Sequence, residues 1–113
     1  MKSWTTALAS LLALIAVSSA CTKHSGNAPP PSPVEQGRKV YNMHCIACHS
    51  PNPKIDGAIG PAIAGSSLDL LEHRLMKTDY PAGYTPKRTT HIMPVLPYVK
   101  DDIPALHAYL NSP

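Results

Sequence analysis

Apolar residues recur at the spacing of a helix face in three stretches of the chain, all of them after residue 33. The predicted helices run from about Val34 to His44, from about Ser67 to Lys77, and from about Asp101 to Asn111. No stretch alternates between apolar and polar residues, as a half-buried strand would. The segments 50–65 and 79–98 are dense in proline and glycine and are predicted to be loops. The pattern therefore predicts an all-α domain.

Each predicted helix has a face suited to burial. These faces consist of Val34, Gly37, Val40 and Tyr41 in the first helix, of Leu68, Leu71 and Leu75 in the second, and of Ile103, Leu106 and Leu110 in the third. Ser66 or Ser67 can cap the second helix. Asp101 and Asp102 suit the start of the third helix, because carboxylates there interact favourably with the helix dipole.

Residues 1–20 follow the pattern of an export signal. Lys2 precedes an apolar run from Ala7 to Val17 that is too short to span a bilayer comfortably, and small residues then lead to Cys21. This resembles a bacterial lipoprotein box, in which the cysteine receives lipid, although Ser18 stands where leucine is usual. The alternative is ordinary cleavage after Ala20, which would leave Cys21 as a lone exported thiol. We expect a periplasmic, membrane-anchored lipoprotein with its lipid on Cys21.

The next segment is predicted to be a spacer. Residues 22–33 have no apolar periodicity, and Pro29, Pro30 and Pro31 favour an extended, semi-rigid chain. A disordered leader is the alternative. The predicted organisation is a signal peptide over 1–20, a lipid-anchored, proline-rich spacer over 21–33, and one domain over 34–113.

The composition of the 34–113 domain raises the question of what fills its core. The chain contains no phenylalanine, and its one tryptophan, Trp4, lies in the signal segment. A domain this small usually needs a disulfide, a metal or a cofactor to be stable.

The formal net charge is only +3, with no basic stripe of the kind that binds nucleic acid.

Cys45-Ile46-Ala47-Cys48-His49 indicates what that additional group is. C-x-x-C-H is the attachment signature of c-type haem. The two thiols can each form a thioether to one porphyrin, and the histidine then lies beneath the iron as an axial ligand. One covalent haem would supply the missing apolar bulk, so we expect the chain without haem to be largely unfolded.

Two other interpretations of the cysteine pair fit the sequence less well. A thioredoxin-like redox pair is expected within a βαβ pattern, and no such pattern is visible here. A structural zinc site usually has four ligands, whereas the only other cysteine is Cys21.

Several local matches make residues 34–113 resemble the class I cytochromes c. They are Gly37-x-x-x-Tyr41-x-x-x-Cys45-x-x-Cys48-His49, Gly60-Pro61 with Ala64-Gly65, Met93-Pro94, and Asp101-Asp102-Ile103 through Tyr109-Leu110. The resemblance implies a small cytochrome c fold, with three main helices and Pro/Gly-rich loops wrapped around one covalent haem. It also implies that the first and last helices cross where Gly37 meets Leu106 or Tyr109, and that a carbonyl at Pro61 orients His49.

Met93 is the predicted sixth ligand of the iron. It lies in a loop stiffened by Pro94, and a loop can fold over the face of the haem opposite His49. Met43 is too close to the first thioether to reach that face, and Met76 is best explained by core packing. His91 is the rival donor, which would lower the reduction potential where a thioether raises it.

With both axial positions filled, the iron has no vacancy for a small-molecule substrate, so an electron carrier is predicted rather than an enzyme. Its partners would be redox proteins, docking on an apolar patch of Ile46, Ala47, Pro51 and Ala62. Lys54, Lys87, Arg88 and Lys100 are candidates for steering partners, although each alone is better explained as an ordinary solvated charge. The main alternative is a relay subunit of a membrane-associated dehydrogenase or oxidase complex, with residues 84–94 binding a partner subunit. A haem enzyme or gas sensor with a labile Met93 is a third possibility.

Overall fold

A computed structural model describes residues 28–113; the predicted signal segment and Cys21 lie outside the described residues. The elements are α1 (Pro33–His44), α2 (Leu68–Met76), a 3₁₀ helix (Pro97–Asp102) and α3 (Ile103–Leu110). Residues 28–113 contain no strand, so the prediction of an all-α fold with three main helices is confirmed. In the same range, no helix combines the length and the hydrophobicity needed to cross a membrane.

The first helix begins with a capping box. The Ser32 hydroxyl accepts a hydrogen bond from the Glu35 backbone N–H at 3.3 Å, and the Glu35 carboxylate accepts one from the Ser32 N–H at 3.0 Å. The bond from the Ser32 backbone is the main reason that the pKa of Glu35 lies below its usual value. Pro33 occupies the first turn, where its missing N–H costs nothing. The helix therefore begins one residue before its predicted start.

The first and last helices cross at Gly37, which is buried. A Cβ atom at position 37 would overlap the backbone of Ala105 and lie 2.8 Å from the Cβ atom of Tyr109. The rings of Tyr41 and Tyr109 pack beside this point, with their centroids 5.5 Å apart. The predicted crossing is confirmed, with Ala105 as an additional contact.

The third helix begins later than its sequence pattern predicts. The 3₁₀ helix occupies Pro97–Asp102, and its Val99 is almost fully buried at 2% exposure. Asp102 makes no capping bond to α3, because its carboxylate instead accepts a hydrogen bond from the Gln36 side chain at 3.1 Å. The loop predicted over 79–98 therefore ends two residues earlier, at Leu96, and α3 starts at Ile103 instead of Asp101.

The core lies where α3 and the 3₁₀ helix pack against both α1 and α2. Its buried apolar members are Val40, Tyr41, Cys45, Leu71, Leu75, Val99, Ile103, Leu106 and Leu110. Ser67 caps α2 by accepting a hydrogen bond from Leu70 N–H at 3.2 Å. Leu68, which the pattern placed on the buried stripe of α2, is 40% exposed. The first turn of α2 therefore extends beyond the core.

Candidate functional site

One cavity of about 420 Å³ is lined by all four side chains that the sequence predicted for the site: Cys45, Cys48, His49 and Met93. Its volume lies in the range of small-molecule and cofactor pockets. Most of the remaining wall is apolar, and it includes Ile59, Ile63, Leu70, Leu71, Leu75, Leu96 and Leu106. A large flat apolar group would be enclosed by helices and loops on several sides.

The C-x-x-C-H turn is fixed at both ends by hydrogen bonds. At its start, the Cys45 N–H donates to the Tyr41 carbonyl as the last bond of α1, and the His49 N–H donates to the Cys45 carbonyl, both at 2.9 Å. At its end, the Tyr41 hydroxyl donates to the carbonyl of Ser50. Cys45 is buried and Cys48 is half-buried. Burial raises the pKa of the Cys45 thiol to about 11, so it stays protonated at neutral pH.

The imidazole of His49 is held in one orientation. Its Nδ1 lies 2.8 Å from the Pro61 carbonyl oxygen. Because a carbonyl can only accept, Nδ1 must carry the proton, which leaves the lone pair on Nε2. Gly60 lies against the ring, and a Cβ atom there would come within 2.5 Å of Cε1. This arrangement is suited to metal ligation by Nε2, because the hydrogen bond at Nδ1 fixes the tautomer.

Met93 lies in a loop that is tied to α2. The Leu96 N–H donates to the Leu75 carbonyl at 2.8 Å, and Met93 itself is half-buried against the core. His91, the rival donor, is exposed and does not line the cavity. Met43 is 70% exposed, whereas Met76 packs against the core. Met93 is thus the methionine among the described residues that lines the cavity.

A set of polar contacts, here termed the loop clasp, joins the loop after His49 to the loop before Met93. Asp56 accepts a hydrogen bond from the Ala62 N–H at 2.7 Å and pairs with the Arg88 guanidinium at 3.2 Å. The Lys87 ammonium donates to the Ala62 carbonyl at 2.7 Å. Lys87 and Arg88 therefore bind partners within the chain. Sequence periodicity does not predict these contacts, because the partners lie far apart along the chain.

A polar part of the cavity wall was also missed by the sequence pattern. Arg74 of α2 is only 8% exposed, and its guanidinium donates to the Thr78 carbonyl at 2.7 Å. The same group lies 4.4 Å from the centroid of the Tyr80 ring, which stacks on Tyr84. Arg74, Tyr80 and Tyr84 all line the cavity. The signal available in the sequence was the position of Arg74 three residues after Leu71 and next to Leu75, beside the apolar stripe of α2, where periodicity alone treats an arginine as surface.

The mouth of the cavity has apolar side chains exposed to solvent. Ile59 and Ile92 both line the cavity and are 46% and 65% exposed. Of the predicted docking patch, Ile46, Ala47 and Pro51 are exposed, whereas Ala62 is half-buried and its peptide groups belong to the loop clasp.

The donor set distinguishes the interpretations of the cysteine pair. Within residues 28–113, no group of three or more His, Cys, Asp or Glu side chains is arranged to hold a bare metal ion. The described part of the chain also lacks the strands of a thioredoxin-like site. Two thiols, an imidazole nitrogen and a thioether around an apolar cavity do fit a covalently attached haem.

The comparisons with known proteins agree with this fit. A family model described as Cytochrome c matches residues 34–112, which is most of the chain. No match was found to a curated protein or to a solved structure.

Proposed function

The chain belongs to the cytochrome c family, and on that premise we propose that it carries electrons through a single haem c, as a monohaem class I member. Haem iron supplies the chemistry by cycling between the ferric and ferrous states. Cys45 and Cys48 would hold the group through thioethers, and His49 and Met93 would be its axial ligands. The observation that best supports this proposal is that these four side chains line one cavity.

The residues around the proposed ligands support an electron carrier, which needs both ligands of its iron held in place. The hydrogen bond from His49 Nδ1 to Pro61 keeps the imidazole in place and makes Nε2 a better donor. A thioether from Met93 bound to the iron would favour the reduced state and raise the potential. Because both axial positions would then be taken by the protein, the site is suited to electron transfer and has no open position for a substrate.

Partners would dock at the exposed apolar mouth of the cavity. Ile59 and Ile92 lie there, and Ile46 is 41% exposed beside the first cysteine. The partners would be redox proteins with a matching apolar surface. Contact between two apolar surfaces displaces the water between them and brings the two cofactors close together.

A relay subunit of a membrane-associated oxidoreductase complex is the second candidate. The observation that favours it is the 65% exposure of both Ile92 and Tyr98 on the segment around Met93, which a permanent partner would cover. Purification in mild detergent separates the two candidates. A stoichiometric partner would support the subunit, and isolation of the chain alone would support the shuttle.

We propose a periplasmic location with a lipid anchor on Cys21. The support is the sequence pattern of residues 1–21. Fractionation of cells that express Cys21→Ser should find the protein released in soluble form. Retention of this variant on membranes would contradict the anchor.

The haem itself is tested with three cysteine variants. In a host competent in cytochrome maturation, the wild type should give one haem per chain in a pyridine haemochrome assay. Cys45→Ala and Cys48→Ala should sharply reduce that yield, whereas Cys21→Ser is the matched control and should keep it. A wild-type protein that is well folded but colourless would end the proposal.

A further inference from the structure

His73 of α2 lies between two carboxylates. Its Nδ1 is 2.7 Å from the carboxylate of Asp79 on the loop after α2, and its Nε2 is 3.4 Å from that of Asp69, four residues earlier on the same helix. The His73 side chain is 24% exposed, so the imidazole is partly withdrawn from water. These three residues, here termed the histidine bridge, join α2 to the loop that follows it.

The geometry of the histidine bridge suits the doubly protonated imidazole. A neutral imidazole has one N–H group and one lone pair, so it can donate to only one of the two carboxylates. With the proton on Nδ1, the bond to Asp79 forms but the lone pair on Nε2 faces the carboxylate of Asp69. An imidazolium has two N–H donors and a positive charge, and it therefore attracts both carboxylates.

No other charged group among residues 28–113 forms an ion pair with His73. The next residue, Arg74, instead contacts the backbone of the same loop. Its Nη1 donates to the Thr78 carbonyl at 2.7 Å and lies 3.5 Å from the carbonyl of Asp79. The charge of the histidine bridge therefore changes when His73 gains or loses a proton.

The loop that the histidine bridge holds has a strained backbone. The φ angle of Thr78 is 61°, and among residues 28–113 it is the one non-glycine residue in the left-handed region. This conformation is unfavourable for a β-branched side chain and persists only where the surroundings hold it. The bond between His73 and Asp79, the residue after Thr78, is one of the contacts that do so. Weakening that contact would favour opening of the loop.

The same loop forms part of the cavity wall. Tyr80 follows Asp79 directly and stacks on Tyr84, with the ring centroids 5.4 Å apart. Both rings line the cavity, whereas His73 does not. A change in the hold of His73 on Asp79 is thereby transmitted to the wall, and His73 would be a positioning residue.

We propose that the histidine bridge holds this loop closed in a pH-dependent way. Histidine side chains change charge between about pH 5 and pH 8. At the acidic end of that range an imidazolium holds both carboxylates and the loop is closed. At the alkaline end the attraction to Asp69 is lost and the hold on Asp79 is weaker, so the strained loop opens more often.

The redox consequence of this device rests on the proposed function. With haem bound, more frequent opening would admit water to the cofactor, and greater exposure to water favours the more highly charged ferric state. The reduction potential should therefore fall as the pH rises. By reciprocity, reduction of the iron would favour the protonated form of His73, with the electron supplied by a redox partner and the proton by water.

The amide of Tyr84 reports directly on the loop, because its N–H donates to the Pro81 carbonyl at 3.1 Å. Hydrogen exchange of this amide is followed by NMR in the haem-loaded ferrous protein and corrected for the intrinsic pH dependence of exchange. Between about pH 5 and pH 8 the protection of the wild type should fall about two- to fivefold, as expected for partly exposed ion pairs. In His73→Gln the protection should be low throughout.

His107→Gln is the matched control for loss of a histidine, since His107 makes no ion pair in the described part of the chain. Its exchange profile should follow that of the wild type. The proposal is overturned if the protection of Tyr84 in the wild type does not depend on pH. A wild-type profile in His73→Gln would overturn it equally.

Asp79→Asn separates opening of the loop from a simple change of charge. Loss of a carboxylate makes the protein more positive, which alone would raise the reduction potential, whereas opening of the loop would lower it. The haem-loaded variant should therefore have a lower potential than the wild type at about pH 5, with a smaller fall towards pH 8. Asp101→Asn, at an exposed position of the 3₁₀ helix, is the matched loss of one carboxylate and should follow charge alone. A potential of Asp79→Asn equal to or above that of Asp101→Asn would contradict the proposal.

The pyridine haemochrome assay keeps the two hypotheses separate. A wild type without haem defeats the proposed function and the redox consequence with it. A haem-loaded wild type whose Tyr84 protection is the same at all pH values defeats this inference alone. Should a variant fail to mature, the exchange profile of the wild type still decides.

Discussion

Gly37 of α1 and Ala105 of α3 lie in backbone contact, so that a Cβ atom at position 37 would overlap the Ala105 carbonyl oxygen. The same atom would lie 2.8 Å from the Cβ atom of Tyr109. Only glycine permits this approach. Since α1 leads directly into Cys45, the crossing also determines where the C-x-x-C-H turn sits relative to the core.

Gly37→Ala should destabilise the folded protein by about 1–3 kcal/mol, the usual cost of overpacking a close contact. A loss of stability would be informative, because in an isolated helix alanine is more favourable than glycine by about 1 kcal/mol. Guanidinium unfolding of the haem-loaded protein, followed by far-UV circular dichroism, measures the change. Asn42→Ala, at an exposed position of the same helix, should be neutral or slightly stabilising. A Gly37→Ala protein as stable as the wild type would show that the helices can separate at no cost.

The crossing illustrates what the sequence could predict. The three helices and Gly37 were predictable because they depend on local periodicity and on a motif whose spacing is fixed. The 3₁₀ helix at Pro97 was not, because its six residues, about two turns, are too few to show a period. The loop clasp and the burial of Arg74 were not predictable either. Each brings together loop or helix residues whose separation along the chain carries no regular signal.

Tyr41→Phe should reduce stability at neutral pH by about 1 kcal/mol, because the Ser50 carbonyl loses its donor. The effect should also depend on pH. Burial, with smaller contributions from Cys45 and Tyr109, raises the pKa of Tyr41 to about 12. An unfolded tyrosine titrates near pH ~10. Between these values the unfolded state binds fewer protons, so the free energy of unfolding of the wild type falls as pH rises.

Urea unfolding at a series of pH values measures this dependence. The stability difference between the wild type and Tyr41→Phe should narrow as the pH rises from about 10 towards 12. Tyr98→Phe is the matched control for loss of a tyrosine hydroxyl, since Tyr98 is 65% exposed. Parallel curves for the wild type and Tyr41→Phe would show that Tyr41 titrates normally.

Met93→Ala should abolish the methionine-to-iron charge-transfer band of the ferric protein and lower the reduction potential, because the iron loses its thioether ligand. Absorption spectroscopy and redox titration measure both. Met43→Ala is the matched control, since Met43 is 70% exposed. An unchanged spectrum in Met93→Ala would assign the sixth ligand to another residue, with His91 the first to replace.

Asp56→Ala should make the iron more accessible to an added ligand. Asp56 joins Ala62 on the loop after His49 to Arg88, which lies five residues before Met93. Opening the Met93 loop, which must precede binding of imidazole to the ferric protein, is opposed by the loop clasp. The Asp56–Arg88 pair is partly exposed, and such pairs contribute about 0.2–1 kcal/mol. With the Ala62 bond also lost, imidazole should bind about fivefold more tightly, which corresponds to about 1 kcal/mol.

Spectrophotometric titration with imidazole measures the affinity, and two further variants identify the cause. Asp101→Ala, at an exposed position of the 3₁₀ helix, should bind imidazole as the wild type does. Arg88→Gln removes only the ion pair, so its affinity should lie between those of the wild type and Asp56→Ala. High salt should bring the wild type towards Arg88→Gln, because an exposed pair is screened. If Asp56→Ala and Asp101→Ala bind imidazole equally, the loop clasp does not hold Met93 in place.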